Sequence, residues 1–403
     1  MPGAEAPDAP GDAPGDGPPD MRAGAPPDAR ADAPPGRAAP PMSAPEPAPR
    51  PPQARAAPAV VAQTLALLRA WESGATPAAP SARTLDLVGF AAAQGVAWPV
   101  CQALSRALPA PVAALLLRPA IEGREAHADR LAAQLRDLAA LLHAAGLEAA
   151  ALKGAAAIAA AGGEPAPWRE MVDLDLLVAP ADLPRAVDAL RGAGYTGDAE
   201  AYVATDYHFP ALYPPPGAGV ATVELHTRTG WARRGPLREI GARALPGALP
   251  GLRIPTAEDR LVHLVQHAQI ADRRRQRRSL RLRDALDWRL LTRTETPAPG
   301  GPADIEAAAE RFSSGRPRKA FQSFAVLMSR IWETPVPPAW EARHAAWAEE
   351  VLAALADPAR AERWREADRR REFWDTLTSR EALGHLALGS LNPSRLRRFL
   401  RRI

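Results

Sequence analysis

The stretch Arg169-Glu170-Met171-Val172-Asp173-Leu174-Asp175-Leu176-Leu177-Val178 decides how this chain is read. Charged and apolar residues alternate from Asp173 onward, the two-residue period of a strand with one buried face. On such a strand Asp173 and Asp175 project from the same side, while Leu174, Leu176 and Val178 point into a core. Two like charges held this close are costly as bare ions. They become favourable when a divalent cation is shared between them, the usual arrangement for Mg²⁺ bound together with substrate phosphates. A solvated strand edge is the competing reading of the same spacing.

The flanking sequence supplies the rest of a small sheet. Residues 147–152 form a short apolar run, too brief for a helix and bounded by Gly146 and Gly154, so a strand is expected there. Residues 155–161 read as a small-residue helix, 171–178 as the strand above, and Leu183, Val187 and Leu190 as a second helix ended by Gly192 and Gly194. Two further strands are expected at 208–213 and 220–227, joined across the turn-rich Pro-Pro-Pro-Gly-Ala-Gly at 214–219. Strand, helix, strand, helix, hairpin describes a small mixed sheet in an α+β fold.

Two neighbours of the aspartate strand sharpen its chemistry. Leu152-Lys153-Gly154 ends one strand and opens a helix, which leaves unpaired N–H groups and the positive helix end facing outward, a setting that suits phosphate. Val223-Glu224-Leu225-His226 can bring a third acid onto an adjacent strand. Three acids beside a helix N-terminus outline a two-metal site for phosphoryl or nucleotidyl transfer. Lys153 is one of only two lysines among 50 basic residues, so an ammonium directly before the glycine suggests a need for a compact point charge.

The remaining chain is organised around this core. Residues 1–57 hold 17 of the 45 prolines and almost no large apolar side chain, and a disordered Ala/Pro/Gly/Asp-rich tail is expected. Helical spacing over 58–146 predicts an N-terminal helical subdomain, with Gly74 and Gly146 as C-terminal caps. The sheet-bearing core covers 147–254, and helical spacing returns over 255–403 as a C-terminal helical domain. The tail carries eight acids against five arginines, so the formal charge of +4 rises to about +7 over the other 346 residues. That is a mild excess, suited to a polyanionic small ligand, and nucleic acid is not an expected partner.

Several classes are excluded by what is missing. A single cysteine, Cys101, rules out an internal disulfide framework and a cysteine-only zinc site. The sequence has neither the basic patch and apolar run of a secretory signal nor a charge-free span of about 20 residues, so a cytoplasmic protein without a transmembrane segment is expected. P-loop, complete dinucleotide-binding and nucleophile-elbow motifs are absent. His263 and His267 stand four apart on a predicted helix, without the acid of a zinc-protease motif, and packing between helical domain and core is expected of them. Two arginine runs, seven within 273–283 and five in the last nine residues, read as solvated faces or as a surface for an acceptor, nucleic acid or membrane.

Taken in order, LKGAAAIA, REMVDLDLLV, the A-x-x-x-L-R-G-A-G-Y stretch, a His before an apolar strand, and VELH resemble the uncharacterised nucleotidyltransferase family of the DNA polymerase beta-like nucleotidyltransferase superfamily. The likeness is close over 149–228 and looser in the helical flanks. It implies a nucleotidyltransferase-type sheet in which Asp173, Asp175 and Glu224 are catalytic and bind Mg²⁺. Lys153, Gly154 and Arg169 would contact nucleotide; His208 and His226, on the two strands flanking the site, are read either as acceptor or nucleotide contacts or as structural packing. The wider superfamily usually has Gly-Gly or Gly-Ser where this chain has Lys153-Gly154. The resemblance implies transfer of a nucleoside monophosphate from an NTP, ATP being the expected one, to a hydroxyl of a small molecule or protein. The alternative is a catalytically inactive nucleotide-binding or scaffold protein of the same fold.

Overall fold

The computed structural model describes residues 58–197, 208–229, 239–293, 301–312 and 315–378. The expected tail at 1–57 and the arginine-rich terminus at 395–403 lie outside the described residues.

Among the described residues, five short strands form one mixed sheet: β1 (Ala149–Ala151), β2 (Asp173–Leu177), β3 (Thr222–His226), β4 (Leu245–Pro246) and β5 (Leu252–Ile254), in the order β3-β2-β1-β5-β4. β1 runs antiparallel to β2 and parallel to β5, while β2 and β3 are parallel, with Asp175 opposite Glu224. The parallel register sets two acids side by side, because equivalent positions on parallel neighbours point to the same face.

The expected hairpin is only partly built. Leu212 exchanges backbone hydrogen bonds with Val223 at 2.9 and 2.8 Å, and His208 bridges His226, but these are isolated bridges rather than a continuous strand. Pro210 and the prolines at 214–216 remove ladder donors on both sides of Leu212, which accounts for the interruption. Short β4 and β5, which the sequence reading does not anticipate, extend the sheet beyond β1. Their tight connection depends on Gly251, at φ +85°, where a Cβ would lie 2.4 Å from the Ala139 carbonyl oxygen.

Helices precede, interrupt and follow the sheet. Before it come α1 (Pro58–Ser73), α2 (Thr84–Ala93), α3 (Ala97–Ala107), α4 (Ala110–Leu116) and α5 (Arg118–Ala144). Within it lie α6 (Lys153–Ala160), α7 (Leu183–Gly192) and α8 (Ile240–Arg243). After it come α9 (Ala257–Val265), a π-helical stretch at Gln266–Ala271, α10 (Arg274–Arg277), α11 (Leu282–Thr292), α12 (Ile305–Glu310), α13 (Gly315–Trp332), α14 (Pro338–Ala356) and α15 (Pro358–Thr378).

The sheet divides two apolar cores. Leu131, Leu135, Leu138 and Leu142 of α5 recur at helical spacing and pack with Leu174, Leu176, Val178 and the alanines of α6. At the end of α5 the chain turns through Gly146 at φ +64°, and Leu147 N–H donates back to the Leu142 carbonyl at 2.9 Å, as a glycine-terminated helix requires. The other core joins α1–α3 to the C-terminal helices and is centred on Trp288, Phe321 and Phe324, with Leu152 and Leu177 reaching into it from the sheet side. Asp173 and Asp175 share the β2 face with Leu177, so the acids look toward the side where sheet and helices meet.

The first arginine run is spent on internal contacts. Arg273 and Arg277 grip the buried Asp368 of α15 at 2.7 and 2.9 Å, and Arg278 stacks over Trp364 while pairing with Glu350. This basic segment ties the last helices to the rest of the chain.

Candidate active site

β2 carries Asp175 almost fully out of water, at 1% exposure. A carboxylate there is tolerable only with partners. Lys153 Nζ and His226 Nε2 both donate to its Oδ1 at 2.8 Å. His226 also lies 3.5 Å from Glu224 Oε2. Burial pushes the Asp175 carboxyl up, but hydrogen bonds from His226 and the Lys153 charge more than offset it and hold the group well below the usual range. Burial lowers His226, and its bonds to Asp175 and Glu224 outweigh that and raise it. Lys153 follows the same balance and is raised. Glu224 is lowered, first by the His226 hydrogen bond.

Asp173 behaves differently. Its carboxylate makes no hydrogen bond or ion pair among the described residues. Burial, then the Asp175 charge, raises it above the ordinary carboxylate range. Asp175, Glu224 and His226 bring one ligand atom each within 4.8 Å of one another, the only such group of three among the described residues. Asp173 stands beside that group, two residues along the same strand face. The carboxylates of Asp175 and Glu224, with the unbonded Asp173 carboxylate two residues along, supply hard oxygen donors that fit a divalent cation.

Lys153 opens α6 with φ +46°, a conformation that costs a non-glycine residue about 1 kcal/mol. The following Gly154 packs so tightly that a Cβ would fall 2.8 Å from the Met171 thioether. Strand end, strained lysine and close-packed glycine thus bring the N-terminus of α6 against the acids of β2.

The other sequence-selected residues take distinct places. Arg169 is buried, and its Nε pairs with Asp287 of α11 at 3.0 Å, while its charge reaches Asp173 and Asp175. His208 lies beside His226 with ring centroids 5.4 Å apart, and its Nδ1 is 2.9 Å from the Phe209 carbonyl oxygen. His263 and His267 meet edge to face at 6.5 Å. Burial drives His263 down to about 3, so it is neutral at pH 7. These two histidines, with Lys153 and Arg169, line a pocket of about 400 Å³ between α6, α9 and α11. Asp287 and Arg260 of that pocket escaped the sequence reading because no local pattern links them to the acids.

The α+β sheet, with Asp175 and Glu224 aligned across parallel strands beside the helix that Lys153 opens, is of the kind expected of a nucleotidyltransferase-type protein. A family model described as uncharacterised nucleotidyltransferase matches residues 80–331, and the chain belongs to that family. It is thus a nucleotidyltransferase enzyme whose general chemistry is nucleotidyl transfer. No curated protein and no solved structure matches it. Among the described residues, no helix is long and apolar enough to cross a membrane.

Proposed function

We propose that the chain transfers a nucleoside monophosphate from an NTP, ATP first among the candidates, to a hydroxyl of a small-molecule or protein acceptor, as a cytoplasmic Mg²⁺-dependent enzyme. The observation that carries this reading is the parallel register of Asp175 with Glu224, beside Asp173 and under the Lys153 ammonium. Asp173, Asp175 and Glu224 would hold Mg²⁺, which supplies neutralisation of phosphate charge when bound.

The protein's own groups account for the remaining chemistry. The N–H groups opening α6 at Lys153 and Gly154 receive phosphate oxygens. Lys153 stabilises charge developing on the departing pyrophosphate, and Arg169, anchored by Asp287, adds to the local positive field. The acceptor oxygen forms its bond to the α-phosphorus as the bond to pyrophosphate breaks. Glu224 or Asp175 takes the acceptor proton, and His226 orients both carboxylates from one ring nitrogen. His208, tilted at 49° beside the His226 ring, would contact nucleotide or acceptor.

The deciding experiment is isothermal titration of ATP, GTP, CTP and UTP in Mg²⁺, with the wild-type chain and Asp173→Asn. Binding of one nucleotide that requires Mg²⁺ and is lost in the variant supports the reading. A folded chain that binds none of the four contradicts it and favours a scaffold of the same fold.

A further inference from the structure

The pocket between α6, α9 and α11 has an unbalanced charge. Five cationic and three acidic side chains line its roughly 400 Å³, a volume typical of small-molecule sites. Each acid already has a cation nearby: Glu72 pairs with Arg289 at 3.0 Å, Asp287 with Arg169 at 3.0 Å, and Asp284 lies 3.6 Å from Arg274. Lys153 is committed to Asp175. His263 and His267 are both pushed down by burial and add no charge at neutral pH.

Arg260, on α9, is the exception. Its guanidinium makes no hydrogen bond or ion pair among the described residues, although it lines the cavity. The charges it feels are Asp287, which Arg169 already occupies, and Arg169 itself, which repels it. Burial and that repulsion depress even this strong base, to about 10. Arg260 is half-buried in the lining, and a guanidinium partly shielded from water without a counter-ion carries a cost that a planar anion arriving at its two-pronged donor face removes.

The rest of the lining restricts what that anion is attached to. The indoles of Trp71 and Trp168 and the aliphatic Leu264 supply apolar wall. Aromatic walls in the same cavity as an unmatched cation suit a ring carrying a single negative group. A triphosphate bears far more charge than one unmatched arginine offsets, and the pocket lining includes none of Asp173, Asp175 and Glu224.

We propose that this pocket is a binding site for a small ring-bearing carboxylate, received at Arg260 and flanked by Trp71 and Trp168. Lys153 and Arg169 line the same cavity, so the site adjoins the nucleotide contacts proposed above, but the carboxylate site itself does not rest on that reading.

The probes are phenylacetate and indole-3-carboxylate, each compared with its uncharged amide, by titration calorimetry and ligand-observed NMR on the full chain. The acids should bind about tenfold or more tightly than the amides, as a charge-assisted hydrogen bond provides. Arg260→Gln should remove that preference. Arg260→Lys, which keeps the charge but loses the fork, should retain only part of it. Without probe, Arg260→Gln should melt at or above the wild-type temperature, because it deletes an uncompensated charge.

Equal binding of acids and amides overturns the proposal, as does no binding of any probe to folded wild type at about 10 mM, roughly 3 kcal/mol of affinity. A clear drop in melting temperature for Arg260→Gln also overturns it, since the arginine would then be a structural tie. Should Arg260→Gln fail to fold, Arg260→Lys decides by the same acid-over-amide ratio. MgATP is titrated into the same proteins. If Arg260→Gln weakens MgATP about tenfold, the pocket belongs to the nucleotide and the proposal falls. If wild type ignores MgATP but keeps the Arg260-dependent preference for acids, the transfer reading fails and the carboxylate site stands.

Discussion

Lys153 separates two regions that manage charge in opposite ways. On the sheet side, Asp175 is closed by Lys153 and His226, Glu224 shares His226, and Asp173 alone keeps a carboxylate with no partner among the described residues. On the pocket side, each acid has a cation nearby and, among the described residues, Arg260 keeps a guanidinium with no hydrogen bond or ion pair. One region thus has an open anion and the other an open cation. Interactions made purely for stability would have closed both, so on the two proposals above each open charge is the place a ligand would fill.

Asp173→Asn gives the largest effect and the most direct test of that contrast. It should lower nucleotidyl transfer by about 10³-fold or more, the scale set by losing a charge that acts on transferring phosphorus. Thermal stability should hold or rise slightly, because a partnerless half-buried charge is removed. Labelled-NTP transfer assays and thermal melts on the same preparations read both quantities. Activity retained in full would remove Asp173 from the site.

Asp175→Asn should diverge from its neighbour in stability while matching it in activity. Asp175 is the shared acceptor of Lys153 and His226, so its neutralisation strands two cations in a buried setting. Breaking such a pair costs about 3 kcal/mol, seen as a lowered denaturant midpoint. If the two asparagine variants are equally stable, the distinction between an open and a closed carboxylate collapses.

Much of the sheet-side region was legible in the sequence because its information is local. The β2 alternation predicts 171–178 against an observed Asp173–Leu177, and the β3 reading of 220–227 contains the observed Thr222–His226. The Lys153-Gly154 junction could be placed because glycine punctuation and a period change coincide there. The alignment of Asp175 with Glu224 needed tertiary structure, since register between strands nearly 50 residues apart is not written in either strand. β4 and β5 were missed because two or three residues carry no period. The pocket was invisible for a stronger reason: Trp71, Trp168, Arg260 and Asp287 come from four separate segments, none with a periodic signature tying it to the others. The arginines of 273–283 looked like surface because their partners, Glu350, Trp364 and Asp368, are supplied from distant helices.

The pocket's tolerance of added charge can be tested with pH. His263 is held neutral down to about 3, whereas an unfolded histidine titrates near 6.5. Between those values the unfolded chain binds the extra proton, so stability falls as pH falls, and the loss levels off below the folded value. At pH 5 this amounts to about 2 kcal/mol from this residue. His263→Gln should flatten that part of the acid limb in denaturant melts across pH 7 to 4. An unchanged slope would show that His263 takes up a proton without penalty, and that the pocket accepts positive charge more readily than an unmatched Arg260 implies.

The smallest effect separates packing from ligand contact at the junction itself. Gly154→Ala introduces a methyl group 2.8 Å from the Met171 Sδ and Cε atoms. Those atoms end a flexible thioether that can swing aside, so the strain should be modest. Alanine also favours helix over glycine by about 1 kcal/mol, which offsets it. The two terms leave a net stability change within about 1 kcal/mol of zero. If Gly154 serves only to admit Met171, transfer activity should follow that small change. If phosphate approaches the backbone there, the same methyl group obstructs it, and activity should fall about tenfold or more at unchanged melting temperature. A large fall in both would mean that Met171 cannot move and that the acids of β2 have shifted with it.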